Sequence, residues 1–320
     1  MTMVLMIIFA FDPALHHHLE YMVPVAVLLF ASNNKRSRLM LSILLDPIVN
    51  DLVQLEHGMR VLTIDRVILF KAHCLLATGD TLAAADLLGH LGHLSLYPCR
   101  ICIVPATRVG QASRLGGCHG IFLGLDELHV LGQNVGKLII KILCEESSGN
   151  LQTTGNIFSL DDDVWDNIGW DLNASLGTFS DSGVFDIRLL FPTSSNEALR
   201  GVDILGLVKH LLPAFVVPQI RRLDARDSLQ ALNRVFQIAG LCKISEHHLT
   251  QLDRDVHCWM DFFQNEVDAH ALPVSVFTPT MHQLYHLAQA VHALGPPFAY
   301  SCRSRDDDCG VQTERYNSAA

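Results

Sequence analysis

The sequence predicts a mixed α/β (α+β) protein, with a small sheet in its N-terminal part and a mostly helical C-terminal part. Three observations predict it. Short apolar runs rich in β-branched and aromatic residues, bounded by turn signals, fill the opening of the chain. One segment of helical period interrupts them. From residue 201 onward, apolar residues recur at helical spacing between capping residues and prolines. A hydrophobic content of 49% against 18% charged residues, over 320 residues, is enough to bury a sizeable core.

Each element has its own warrant. Thr2 to Phe11 is a continuous apolar run and reads as a buried strand, closed by the Asp12-Pro13 turn. Tyr21 to Phe30 reads the same way. The apolar N-terminus lacks the basic start and small-residue cleavage site of a signal peptide, and neither run reaches the ~18 residues needed to span a bilayer. Leu45, Ile48, Leu52 and Leu55 share one face of a helix over Leu44 to Glu56, closed by His57-Gly58. Met59 to Asp65 and Val67 to Thr78 are strand-like, and Thr81 to Leu91 is an Ala/Leu-rich helix. Cys144 to Glu197 is polar and broken by Gly, Ser, Asn and Asp, the pattern of an insertion or poorly ordered loop, with Asp161-Asp162-Asp163 as a solvated turn. Val202 to Leu212 is a helix ended by Pro213. Asp224 to Leu241 is another, and Ser245 caps a third with the stripe Leu249, Leu252, Val256, Trp259, Met260, Phe263 and Val267. Thr280 caps a fourth, Met281 to Leu294, stopped by Gly295-Pro296-Pro297. The units expected are therefore 1–143 (partial sheet core with a His/Cys knuckle), 144–197 (insertion), 198–303 (helical part) and 304–320 (frayed tail).

The order strand, strand, helix, strand ending at Asp80, helix is similar to an RNase H-like core lacking its first strand. Such a sheet would present a bare apolar edge beside Thr2 to Phe11, which favours aggregation.

Charge and cysteine usage narrow the function. The formal charge is −10, and the basic clusters are small: Lys35, Arg36 and Arg38, then Arg221 and Arg222. Nucleic-acid binders usually carry a basic face, so global charge speaks against strong DNA affinity and leaves only a local patch. Nine irregularly spaced cysteines fit a reducing compartment rather than a disulfide scaffold.

One constellation carries chemistry. Cys99 and Cys102 have the C-x-x-C spacing in which two thiolates bind one zinc. His90 and His93 are the local candidates for the remaining ligands. His282 and His286 lie one helical turn apart, face the same way, and are the distant candidates. The competing reading is two buried reduced cysteines, with the histidines packed on an amphipathic helix. Asp126, Glu127 and His129 resemble a metal cluster, but read more simply as the opening of a helix over Glu127 to Ile142, their charges favoured by the helix dipole.

Four stretches, ATGDTLAAADLLGHLGHLSLYPCRIC (77–102), FLGLDELHVLGQNVGK (122–137), GVDILGLVKHLLPAFVVPQI (201–220) and SVFTPTMHQLYHLAQAVHALGPPFAYSCRS (275–304), together resemble fungal transposases related to the CACTA superfamily. These are DDE-type enzymes with an RNase H-like core. The family shows a GD-x-PA step, a GH…CR-x-C knuckle, an H-x-x-x-H-L helix and a GP-x-x-AYS turn leading into a catalytic glutamate. The four pieces occur in that order and span most of the chain.

The resemblance implies Mg²⁺- or Mn²⁺-dependent DNA strand cleavage and transfer at transposon ends, in the nucleus. Three carboxylates would hold two hard cations. It makes Asp80 the second acid and places Asp306 where the glutamate is expected. The strand that carries the first acid would precede Thr2, so the cations should be weakly held. Leu82 replaces the motif proline, and Gln133-Asn134-Val135 replaces a GHG step. The whole resembles a truncated, degenerate copy, ancestrally a transposase and now inactive. Two other readings stand beside it: a non-catalytic zinc-stabilised module that binds nucleic acid or protein, and a pseudogene product without function. For Asp80 alone, a helix N-cap is the simpler role.

Overall fold

The structure is a computed structural model of the 320-residue chain. It describes residues 2–8, 21–28, 38–78, 84–85, 90, 95–102, 122, 124–143, 157–158, 160, 162–175 and 200–301. The fold is mixed and mostly helical, with small antiparallel strands.

The two N-terminal apolar runs form β1 (Thr2–Ile7) and β2 (Met22–Leu28), paired antiparallel. Their register shifts between Val4 and Leu5, opposite Pro24. A proline cannot donate to the ladder, and an irregularity beside it accommodates the missing N–H. Helix α1 (Arg38–His57) begins earlier than the apolar spacing predicts and passes through Pro47. It stops at Gly58, whose φ of +109° is the left-handed conformation a helix end requires.

Strands β3 (Met59–Leu62) and β4 (Val67–Phe70) are shorter than predicted, because Thr63 to Arg66 form a tight connection tied by Thr63 Oγ1 and the Arg66 carbonyl at 2.7 Å. The extended run predicted to continue to Thr78 leaves the sheet after Phe70. Among the described residues the strands form two separate two-stranded sheets, β1–β2 and β3–β4. Ala84 and Ala85, inside the predicted Thr81 to Leu91 helix, are helical and buried.

The core lies in the helices. Helix α2 is π-helical over Leu128–Gly136 and α-helical over Lys137–Leu143. Helix α3 (Asp162–Ser175) occupies part of the stretch expected to be an insertion loop. Asp162 and Asp163 of the acidic run open this helix, as acids at a helix start do, and Asp161 lies outside the described residues. Ahead of it, Phe158 is fully buried and stacks on Trp259, ring centroids 6.3 Å apart. A polar composition hid that anchor.

Helix α4 runs from Gly201–Gly206 through a π-helical Leu207–Val216 to a final 3₁₀ turn, Val217–Gln219. Pro213 lies inside it and does not end it. The wider π turn accommodates a residue that lacks an N–H and clashes with the preceding turn. The stretch Gly201–Gln219 is long and apolar enough to cross a membrane, but 67% of its most apolar window is buried inside the fold.

Helices α2 and α4 touch backbone to backbone. A Cβ on Gly132 would stand 2.7 Å from the Gly201 carbonyl oxygen. Helices α5 (Leu223–Ala239) and α6 (Glu246–Asp268) pack on each other. Ser245 caps α6 as predicted, its Oγ accepting the His248 N–H at 3.3 Å. Of the predicted stripe, Leu252, Val256, Trp259, Met260, Phe263 and Val267 are buried and Leu249 packs at the margin. Arg234 donates to buried Asp255 at 2.6 and 3.0 Å, joining α5 to α6.

Helix α7 combines Pro279–Gln283, a 3₁₀ turn Leu284–His286, and Leu287–Leu294. Its cap is Thr278, whose Oγ1 accepts the Met281 N–H at 3.1 Å. Thr280, the predicted cap, is buried within the first turn. Pro279 fixes the start, since proline suits the first helical position. Gly295, φ +84°, ends the helix where Gly-Pro-Pro predicts.

Candidate metal centre

The loop 95–102 and helix α7 meet inside the core. Cys99, Cys102, His282 and His286 each offer one ligand atom, and these atoms all lie within 4.8 Å of one another. All four side chains are buried, at 1–5% exposure. Cys102 Sγ is 3.1 Å from His282 Nε2, and His282 Nε2 is 3.3 Å from His286 Nε2.

The local sequence sets up each half. The C-x-x-C loop turns so that the Ile101 N–H donates to Cys99 Sγ at 3.4 Å, a bond that favours a thiolate. Pro279 and the Thr278 cap fix the start of α7, which places His282 and His286 on one face, one turn apart. Their rings meet edge to face at 5.1 Å between centroids.

Electrostatics prepares the same chemistry. The Cys99 thiol is held far below the usual thiol range, chiefly by its hydrogen bond with Cys102, then by His282 and His286, while burial opposes the shift. Thiolates are the metal-binding form of cysteine. Two sulfurs and two imidazoles are a donor set suited to zinc. Tetrahedral ligands at about 2.3 Å for Zn–S and about 2.0 Å for Zn–N lie roughly 3.3–3.8 Å apart; the Cys102–His282 and His282–His286 separations of 3.1 and 3.3 Å are near this, within a set bounded at 4.8 Å. The cluster could hold a metal such as zinc.

Of the six predicted metal ligands, four come together. The fifth, His90, is placed elsewhere, its Nε2 3.0 Å from the Tyr97 carbonyl oxygen. His93, Asp80 and Asp306 lie outside the described residues.

A second polar cluster adjoins the centre, and sequence reasoning underrated it. Arg100, between the two cysteines, donates to the Gly124 carbonyl at 3.0 Å. Its guanidinium pKa is lowered by burial, against the charges of Cys99, Tyr300 and Asp126. Asp126 and Glu127 are each 1% exposed, not solvated at a helix end. Asp126 Oδ2 accepts from His129, through both the ring Nδ1 and the backbone N–H. Tyr300 lies on Gly124 so closely that a Cβ there would meet its Cε2 at 2.6 Å.

The predicted basic cluster at residues 221–222 is partly consumed within the fold. Arg222 bonds Asp224 at 2.7 and 2.8 Å, also bonds Glu266, and sits 5.4 Å over the Phe262 ring. No protein-family model matches the chain, and no curated protein matches it.

Proposed function

We propose that this chain is a transposase-derived protein in which Cys99, Cys102, His282 and His286 bind one structural zinc. Its ancestral reaction is Mg²⁺-dependent cleavage and transfer of DNA strands at transposon ends, in the nucleus, on an RNase H-like core. The present role is that of a zinc-stabilised module for nucleic acid or protein contact, without strand cleavage.

The observation that supports this best is the convergence of two motifs 180 residues apart. The CR-x-C knuckle and the H-x-x-x-H-L helix are the pieces on which the family resemblance rests, and they meet as a buried Cys₂His₂ set. The loss of catalysis is proposed on sequence: Leu82 stands where the family motif has proline, and Gln133-Asn134-Val135 departs from its GHG step.

Zinc content separates the readings from one another. The full chain, expressed without added chelator, should carry one zinc per molecule by elemental analysis. It should show no Mg²⁺- or Mn²⁺-dependent nicking of supercoiled DNA. Nicking that disappears in Asp80→Asn would restore the enzyme reading. A chain that folds without any bound metal would remove the module.

A further inference from the structure

We propose that Tyr285 gates the metal centre: the ion enters and leaves between His282 and the face of α6 that carries His257, and the Tyr285 ring closes that path. The inference rests on the zinc reading and adds to it a route of exchange and the residue that sets its rate.

The argument begins with enclosure. Cys99, Cys102, His282 and His286 are all buried, so an ion reaches them only when a neighbouring group moves. From Thr280 to Leu287 every residue is buried except Tyr285, which is half-buried. Tyr285 also touches both sides of the path. Its ring meets the ring of the ligand His282 edge to face, with centroids 5.9 Å apart. On its other side it meets the ring of His257, at 5.3 Å and a tilt of 52°. His257 is exposed. Three rings thus run from solvent to a ligand, and the middle one separates the surface from the centre.

Two further observations make Tyr285 the group that moves. It sits in the middle of the 3₁₀ turn Leu284–His286, between two α-helical segments of α7. Hydrogen bonds in such a turn are poorer than in an α-helix, and a 3₁₀ stretch inside a helix often marks a hinge. Its hydroxyl makes no hydrogen bond to a described residue, so ring contacts hold it in place, and a change of rotamer breaks them. Arg100, the half-buried neighbour of the ligands on the knuckle, is by contrast pinned, its Nη2 donating to the Gly124 carbonyl at 3.0 Å.

The test uses the full chain with its zinc content measured beforehand. Release is timed by transfer of zinc to an excess of a coloured chelator. Affinity is read separately, at equilibrium, by competition with a chelator of known strength. Tyr285→Ala should speed release about ten-fold and leave affinity unchanged, because a gate alters the rates of entry and exit together. Tyr285→Phe should keep the wild-type rate, since the ring and not the hydroxyl closes the path. Tyr285→Trp should slow release, which loss of stability cannot do. If Tyr285→Ala fails to fold, His257→Ala, at an exposed position, should speed release several-fold. Release that Tyr285→Ala and His257→Ala leave unchanged overturns the proposal, as does release that rises only in proportion to lost affinity. A chain that carries no metal sinks the zinc reading and this one together. A chain whose zinc leaves at one rate in every variant sinks the gate alone.

Discussion

Single residues at the centre should have effects out of proportion to their size. Cys102→Ser removes one thiolate from a buried four-ligand set, and the chain should emerge with little or no zinc. A metal present at about a thousand times its dissociation constant stabilises by roughly 4 kcal/mol, and a loss of that order should appear in urea unfolding. His286→Asn should act likewise, whereas His90→Asn, outside the cluster, should leave zinc content unchanged. Tyr300 makes a prediction of opposite kind. Burial first, then Asp126 and Glu127, raise its phenol pKa above the ordinary 10. The folded state therefore keeps that proton at a pH where the unfolded chain releases it. The contribution is fully present below pH 10 and declines as the pH rises beyond it. Alkaline unfolding should be less steep in Tyr300→Phe. If the two chains lose stability in parallel above pH 10, the phenol is not held in this way.

At the level of elements, the contacts that can be tested are the close approach of α2 to α4 and the ion pair between α5 and α6. Gly132→Ala would press a methyl onto the Gly201 carbonyl and should cost about 1–3 kcal/mol, as overpacking does. Arg234→Ala would leave Asp255 buried and uncompensated. With the arginine itself 43% exposed, a loss of about 2–3 kcal/mol is expected, below the range for fully buried pairs. Thermal melts of the two variants check both values.

What was legible in the sequence at this scale was local. Ser245 announces α6, because the cap and the N–H that donates to it lie within one turn. Gly58 and Gly295 announce helix ends because only the backbone decides there. Thr280 misled because Thr278 also precedes the helix, and the proline between them selects the earlier cap. Pro213 misled because π turns are rare enough to be left out of a local reading. Asp126 and Glu127 open α2 as the sequence reads, but their burial was not legible there. Acids before a helix look the same in sequence whether the helix start meets water or the core, and burial is a property of distant partners.

The whole molecule depends on long-range closure. The C-x-x-C knuckle was legible as half a site, and His282 with His286 as another half. Nothing local joins residues 180 positions apart, so the sequence left His282 and His286 beside His90 and His93 as candidate partners without choosing between the pairs. A metal linking the two halves acts as a cross-link, and closing a loop of that size should contribute about 5 kcal/mol in the chain-entropy account. Dialysis against a strong chelator should therefore lower the melting temperature by many degrees and expose Trp259 to quenchers, with recovery on zinc addition. A melt indifferent to chelation would show that the helical core stands without the clasp.

The same separation has a consequence during synthesis. A ribosome adds about 5–20 residues per second, so the nascent chain presents its cysteine pair roughly 10–40 s before the imidazoles that complete the set leave the exit tunnel. Through that interval the thiols have no histidine partners, and a peroxide or a neighbouring thiol reaching them would cap the sulfurs before the ion can be enclosed. Yield of correctly loaded protein should accordingly follow the reducing power and free zinc of the expression host more closely than the growth temperature.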